Sequence, residues 1–424
     1  MLLKKYKLNN NLNYYFHQTK KYKSFSIKIY FLLPYIKEKI TIRNLLKDVL
    51  LYDSKKYSNT EIIDKKRELY NLKLSLTSGP INNIHQYCLT ISGTNPKFFS
   101  DDEYTFKEIF NYLKEILFNP NTNKNKFNEE SYQTCFNRYK TSLKTALEDK
   151  NFLASYESSE LLDDDENKYC YVGYLKDFDN ITNEDLYLEY QELINSNILI
   201  AISGDIDNKI LKSNLNRLFK NFKEFEEKIV MTPTKYQEYR EKIINLKTEQ
   251  SIVIMNFATE IEKFKDNYFE ILMFNMLFGG ETNSKLFQII REEYGYCYEI
   301  YSHFESSSGV ITVYMGLDQE NIDNAIALVK KQIEEIKLGN FTKENLKQQK
   351  TNEVVRVQNI YDSQQSTLVR EISLHMFNRD TSLKVLKNDV KDIYKEDVMK
   401  VAHKLKHIST LIIKSKGDED YANN

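Results

Sequence analysis

Apolar residues at Ile42, Leu45, Leu46, Val49 and Leu50 recur with the one-face spacing of an amphipathic helix, which predicts a helix over 41–52. A polar strip runs down the other side through Asn44, Lys47 and Asp48, spaced i, i+3, i+4 and so sharing a face. Upstream, "SFSIKIYFLLPYI" (24–36) alternates and is rich in β-branched and aromatic residues, which predicts a strand. Downstream, "NTEIIDKKRELYNL" reads as a second helix capped by Asn59 or Thr60. "LKLSLTSGPINNIHQYCLTISG" then reads as a hairpin turning at Gly79-Pro80.

The second half repeats this order. "EQSIVIMNFAT" (249–259) predicts a strand, "NYFEILMFNMLF" (267–278) and "SKLFQIIREEYG" (284–295) predict helices, and "YCYEIYSHFESSSGVITVYMG" predicts a hairpin turning through its serines. The ends of the halves match as well. Ile181, Glu184 and Asp185 correspond to Ile393, Glu396 and Asp397, and Gly204-Asp205 corresponds to Gly417-Asp418. In each half a capped helix runs into an apolar strand. The expected fold class is therefore α+β, with two homologous domains, each a mostly antiparallel sheet covered by helices. The expected domains are 1–222 and 249–424. The charged stretch 223–248, which holds Pro233, is expected to link them.

A chain of 424 residues with 41% hydrophobic content is long enough for two cores. Its 60 basic and 61 acidic residues nearly cancel, which argues against a nucleic-acid partner. The "DDDE" run at 163–166 reads as a solvated loop. Cys88, Cys135, Cys170 and Cys297 lack Cys-x-x-Cys spacing, so they read as reduced packing residues. No stretch is apolar for the ~20 residues a membrane span needs, and the N-terminus lacks a signal-peptide core, so a cytoplasmic protein is expected.

Candidate chemistry then turns on two segments. The strip at Asn44, Lys47 and Asp48 has the spacing of a His-x-x-Glu-His zinc helix with other residues in its slots. The second is "LFGGETNSKLFQIIREEYGYCYEIYS" (277–302), which resembles the "LGG-x-x-SSRLFQ-x-IRE-x-x-GLAY-x-x-x-S" segment of the pitrilysin/insulinase-type zinc metallopeptidases (inverzincins). Gly279, Gly280, Ser284, Leu286, Phe287, Arg291, Glu292, Gly295 and Tyr298 all fall in place. The resemblance covers nearly the whole chain. It is nearest in type to the non-catalytic subunits, such as the mitochondrial processing peptidase alpha subunit and bacterial YfmF-like proteins.

The resemblance implies several things. The family's zinc-binding histidines fall on Asn44 and Asp48, its catalytic glutamate on Lys47, and its third ligand on Asn137, seven residues after Glu130. Its Gly-Thr falls on Asp53 and Ser54. Zinc requires imidazole, thiolate or carboxylate donors, and here only Asp48 offers one. Lys47 brings an ammonium where a base is needed. No catalytic residue in cis and no bound metal are expected. In such families a zinc-bearing paralogue pairs with the inactive chain, whose arginine and tyrosine face the peptide. These would be Arg291 and Tyr298, with zinc in the partner subunit. The expected function is thus a non-catalytic subunit of a heterodimeric zinc metallopeptidase acting on short peptides. The alternative is a non-proteolytic scaffold or peptide-binding protein of the same fold. Without the resemblance, Arg291 reads as a surface residue pairing with neighbouring glutamates, and Tyr298 as one of 31 tyrosines packed on a sheet. The Gly279-Gly280 pair reads as the stop of the 267–278 helix. His403 and His407, four apart, read as sharing a helix face but lack an intervening glutamate.

Overall fold

The computed structural model describes residues 2–162, 171–227, 229–377, 379 and 383–415. The "DDDE" run, Cys170 and Gly417-Asp418 lie outside them. Two compact units form. The first comprises Met1–Lys144, Tyr171–Ile229 and Asn359–Asp380; the second comprises Thr145–Cys170, Val230–Gln358 and Thr381–Asn424.

The first unit holds strands β1 (Lys4–Lys7), β2 (Asn13–Gln18), β3 (Ser24–Pro34), β4 (Lys73–Ile81), β5 (Ile84–Thr94) and, after a small ribbon of β6 (Thr122–Asn123) with β7 (Lys126–Phe127), β8 (Asn197–Gly204). The large sheet runs β1-β2-β8-β3-β5-β4. Strand β3 pairs antiparallel with both β5 and β8, while β2 runs parallel to β8. Every residue of β3 from Phe25 to Leu33 is buried, because both faces of the sheet are covered. Helices α1 (Ile40–Leu50), α2 (Asn59–Glu68), α3 (Phe106–Phe118), α4 (Glu129–Glu148), α6 (Asn183–Ile194) and α7 (Asn208–Phe219) contribute to the core on one face, with Leu45, Ile109, Leu193 and Leu215 fully shielded. On the other face, Leu368 and Ile372 of a helix from late in the chain, Gln364–Met376, pack on Tyr30, Leu32 and Leu199.

The second unit repeats the plan. Its strands β9 (Arg240–Leu246), β10 (Ser251–Ala258), β11 (Cys297–Glu305), β12 (Val310–Leu317) and β13 (Lys406–Ser415) run β11-β12-β10-β13-β9. Here β10 pairs antiparallel with β12 and β13, and β9 runs parallel to β13, as β2 does to β8. The expected connecting stretch 223–248 thus contains β9, the counterpart of β2. Helix α5 (Lys150–Ser159), from early in the chain, sets Ala154 against Ile252, Ile254 and Leu411. The helix Lys395–Ala402 packs with both α8 (Tyr268–Asn275) and α9 (Ile322–Lys337) on the unit's other layer.

The matched Glu-Asp pairs of the two halves are helix starts. Asp185 accepts from the Thr182 N–H at 3.3 Å, and Asp397 accepts from the Tyr394 N–H at 2.7 Å, each satisfying an otherwise unpaired donor. Four local expectations are corrected. The first hairpin turns at Asn82-Asn83, with Ile81 opposite Ile84, because Asn82 takes the left-handed conformation (φ 51°) while Gly79 and Pro80 stay in β4. Helix α2 is capped by Ser58, whose hydroxyl and Glu61 form a reciprocal capping box. The 267–278 helix does not stop at Gly279: it opens after Asn275 into a π-helical turn, Met276–Gly280. His403 caps the helix Lys395–Ala402 and His407 lies in β13, so they share no helix face.

Candidate functional site

Helix α1 carries the first candidate strip, but its polar residues are not a solvated face. Asn44 is buried, and its amide Nδ2 donates to the Tyr171 carbonyl at 2.7 Å. Two further bonds fix the same segment. The Tyr139 hydroxyl of α4 donates to the Val172 carbonyl, and the Tyr174 N–H donates to Thr41 Oγ1 at 2.9 Å. Gly173 adopts φ 82°, and a Cβ there would meet Thr41 Oγ1 at 2.5 Å, so only glycine lets 171–174 lie against α1 this closely. Asn44 therefore tethers the chain's own backbone.

Lys47 and Asp48 are half-buried. Burial raises the Asp48 carboxyl above its usual range, and the positive charges of Lys47 and Arg138 partly reverse this. On α4 the groups that interact with Asp48 are Cys135 and Arg138, whereas Asn137 is exposed. Cys135 is fully buried, and its thiol is pushed up to about 12 by desolvation, so it stays protonated and is a poor ligand. Asp53 accepts from Ser131 Oγ at 2.7 Å and Asn121 Nδ2 at 2.8 Å, while Ser54 accepts from the Tyr57 N–H at 3.0 Å. Among the described residues no three His, Cys, Asp or Glu side chains gather as a metal site. The donors present do not fit zinc: one amide is occupied, one side chain is cationic, and a lone carboxylate does not make a zinc-ligand set.

Sequence reasoning missed Arg43. It is fully buried, with Nε 3.1 Å from Glu189 Oε2 and Nη1 donating to the Pro34 carbonyl at 2.9 Å. Its signal was present: Arg43 lies three and seven residues before Leu46 and Leu50, on the apolar face.

The second candidate segment lies in the second unit. It begins with the π turn Met276–Gly280 and continues in a second π-helical stretch, Leu286–Glu293; such turns are uncommon and concentrate at functional sites. Neither Gly279 nor Gly280 has positive φ, so their use is close packing rather than helix termination. A Cβ on Gly279 would meet Ser302 Oγ at 2.7 Å and Leu286 Cδ1 at 2.8 Å. Ser302 in turn donates to Asn275 Oδ1 at 2.8 Å, pinning the π turn to β11. Gly295, at φ 66° in open space, releases the chain from the second π stretch into β11.

Arg291 projects from that stretch with its side chain 43% exposed. Its guanidinium carbon lies 4.6 Å from the centroid of the Phe287 ring, and Nε lies 3.6 Å from Glu292 Oε1. An exposed pair of this kind holds the arginine only weakly. Tyr298 is 56% exposed at the start of the edge strand β11, and its hydroxyl donates to Asp318 Oδ2 at 2.7 Å. That bond to a carboxylate raises the phenol above its ordinary value. Among the described residues no hydrogen bond joins Arg291 to Tyr298. Asp318 is a second residue that sequence reasoning missed, and nothing in its sequence neighbourhood marks it.

These features define a class: a duplicated α+β fold in which, among the described residues, no metal-binding cluster forms. The comparisons agree. Residues 180–353 match the family model described as the peptidase M16 inactive domain. The chain is 24% identical over 406 residues to the "probable inactive metalloprotease YmfF" of Bacillus subtilis (strain 168), covering 94% of each. A conserved protein from Enterococcus faecalis V583 superposes with a TM-score of 0.91 at 22% identity, over 98% of this chain and 99% of that one. A peptidase M16 inactive domain from Pseudomonas fluorescens superposes with a TM-score of 0.78 at 13% identity, over 98% and 99%. Over nearly its whole length the chain is thus similar to a non-catalytic homologue of the M16 peptidases, and it shares their fold. Among the described residues no helix is long and apolar enough to cross a membrane.

Proposed function

We propose that this chain is the non-catalytic subunit of a heterodimeric zinc metallopeptidase that processes or degrades short peptides in the cytoplasm. A paralogous partner would supply the zinc and the base, and this chain would present Arg291 and Tyr298 to the peptide. One contrast carries the reading. Asn44 of the α1 strip is buried and bonded within the chain and Lys47 and Asp48 are half-buried, yet Arg291 and Tyr298 keep exposed, bond-forming ends. The guanidinium fork suits a peptide carboxylate or carbonyl. The Tyr298 hydroxyl suits an oxyanion at the scissile bond, provided it exchanges Asp318 for the substrate oxygen. Cys88, Cys135 and Cys297 are free buried thiols, which suits a reducing compartment.

The bond from Tyr298 to Asp318 also favours a second reading, a peptide-binding or scaffold protein without proteolysis, since the phenol proton is already engaged. One experiment separates the two. The purified chain is assayed for zinc and peptide cleavage, alone and mixed with a zinc-bearing M16 paralogue from the same source. The subunit reading expects cleavage only in the mixture, falling on Arg291→Ala and on Tyr298→Phe. Stoichiometric zinc in the lone chain, or cleavage indifferent to both variants, would overturn it.

A further inference from the structure

The two units end their large sheets differently. In the first unit β2 runs parallel to β8, and β1 covers the other edge of β2 antiparallel, with Lys4 opposite Phe16 and Lys7 opposite Asn13. In the second unit β9 takes the place of β2 beside β13, yet the sheet stops there. Among the described residues no strand pairs with the outer edge of β9, so β1 has no counterpart. The backbone N–H and C=O groups along such an edge are a template for one more strand.

Proteins blunt sheet edges with charge, proline or a bulge. In the first unit the outermost strand, β1, carries Lys4, Lys5 and Lys7. Strand β9 is charged only in its first half, at Arg240, Glu241 and Lys242, whereas Ile243, Ile244, Asn245 and Leu246 carry no charge. It holds no proline, and its pairing with β13 runs from Arg240 to Leu246 without a bulge. Its two faces differ. Ile244 and Leu246 pack on the cluster that holds Ala154 of α5, so that face is apolar out to the edge. Lys242 shares the face but is drawn onto α5 by an ion pair with Glu157. Ile243, on the opposite face, is 46% exposed. A strand added here would extend the α5 face with every second residue, which selects alternating apolar and polar side chains.

We propose that the outer edge of β9 binds an extended peptide as a sixth strand of this sheet, antiparallel as β1 is to β2, with alternate apolar side chains beside Ile244 and Leu246. Tyr298 lies on β11, the sheet's other edge, so this site is tested apart from the one proposed above. The probe is fluorescein-labelled Thr-Val-Thr-Tyr-Thr-Val, titrated with the full chain and followed by anisotropy. It should bind saturably, and Ile243→Lys, which adds a charge at an exposed position of the edge, should weaken it about tenfold. Two further probes carry N-methyl groups at alternate residues, on one edge of the extended peptide or on the other. One should bind like the parent and the other should not, because main-chain bonds hold an added strand and only one of its edges faces β9. Absence of saturable binding, binding unchanged by Ile243→Lys, or equal binding of the two methylated probes would each overturn the assignment. So would sedimentation of the chain as a dimer that Ile243→Lys dissociates, since a second copy would then occupy the edge.

Discussion

Tyr298 gives its only hydroxyl proton to Asp318, at 2.7 Å, across an exposed corner between the start of β11 and the segment after β12. The carboxylate favours the protonated phenol, so the tyrosine is held neutral to higher pH than usual. Removing that charge with Asp318→Asn should bring the Tyr298 pKa back down toward its ordinary value. With 31 tyrosines in the chain, absorbance cannot isolate it. NMR of chain labelled at the tyrosine ζ carbon can, with Tyr298→Phe to assign the resonance. An unchanged Tyr298 titration in Asp318→Asn would show that the carboxylate does not control the phenol.

The buried Arg43–Glu189 pair gives a prediction about stability rather than function. Removing Arg43 leaves Glu189 with Lys39 alone, and removing Glu189 leaves Arg43 with Glu192 at 3.6 Å, so each single variant weakens the pairing of a buried charge and costs up to about 3–5 kcal/mol. Arg43→Ala or Glu189→Ala should therefore destabilise the first unit by that order. Arg43→Met combined with Glu189→Leu should cost much less than the sum of the singles. Urea unfolding followed by circular dichroism reads both. Additive losses would mean the pair is not coupled.

Acid sensitivity follows from the histidines. His85 is fully buried beside Arg43 and bonds Ser78 Oγ at 2.7 Å. Burial first, and then the Arg43 charge, lower its pKa from 6.5 to about 3. Burial likewise lowers His407 to about 4. A folded-state pKa below the unfolded one means that the unfolded chain binds more protons between the two values. Stability is therefore present above about 6.5 and drains away as pH falls toward 4 and 3, by at most about 1.4 kcal/mol per pH unit for each group. His85→Gln should flatten the pH dependence of urea midpoints between pH 6.5 and 4. An unaltered slope would place the protons elsewhere.

Much of this architecture is legible from residue pattern, and the exceptions have physical causes. The central strands β3 and β10 and the amphipathic α1 announce themselves because burial of a whole face leaves a periodic trace. The hairpin turn is not legible because Asn82, one of the few non-glycine residue types that tolerate positive φ, makes it, while Gly79-Pro80 carries the stronger turn pattern. The residue types at Asn44, Lys47 and Asp48 are legible from the sequence alone. Their use is not, because Asn44 meets Tyr171 across 127 residues of sequence. Asp318 was likewise hidden, twenty residues from Tyr298.

Restoring residue types at α1 should not restore a metal site. Asn44→His, Lys47→Glu and Asp48→His together return two imidazoles and a carboxylate to α1. Asn137, at the third-ligand position, is exposed on α4, and the α4 groups near Asp48 are Cys135 and Arg138. The triple variant should hold no stoichiometric zinc by elemental analysis and cleave no peptide. Asn44→Ala alone should cost about 1 kcal/mol by removing the bond to the Tyr171 carbonyl. Zinc-dependent cleavage by the triple variant would show that another side chain completes the site.

Gly279 tests whether the π turn depends on close packing or on backbone freedom. Its φ is not positive, so alanine is conformationally allowed, and any cost must come from contact. The new Cβ would sit 2.7 Å from Ser302 Oγ, 2.9 Å from Ser302 Cβ and 2.8 Å from Leu286 Cδ1. Ser302 cannot swing away cheaply, because its hydroxyl is bonded to Asn275 and its backbone lies in β11. Overpacking of this kind costs about 1–3 kcal/mol, so Gly279→Ala should lower the melting temperature of the second unit. Ser302→Gly removes two of the three clashing atoms and leaves only Leu286, whose terminal methyl can rotate. The double variant Gly279→Ala with Ser302→Gly should therefore be less destabilised than the two single losses predict. If instead the losses simply add, the pressure lies on the backbone of the π turn, and the packing account of Gly279 is wrong.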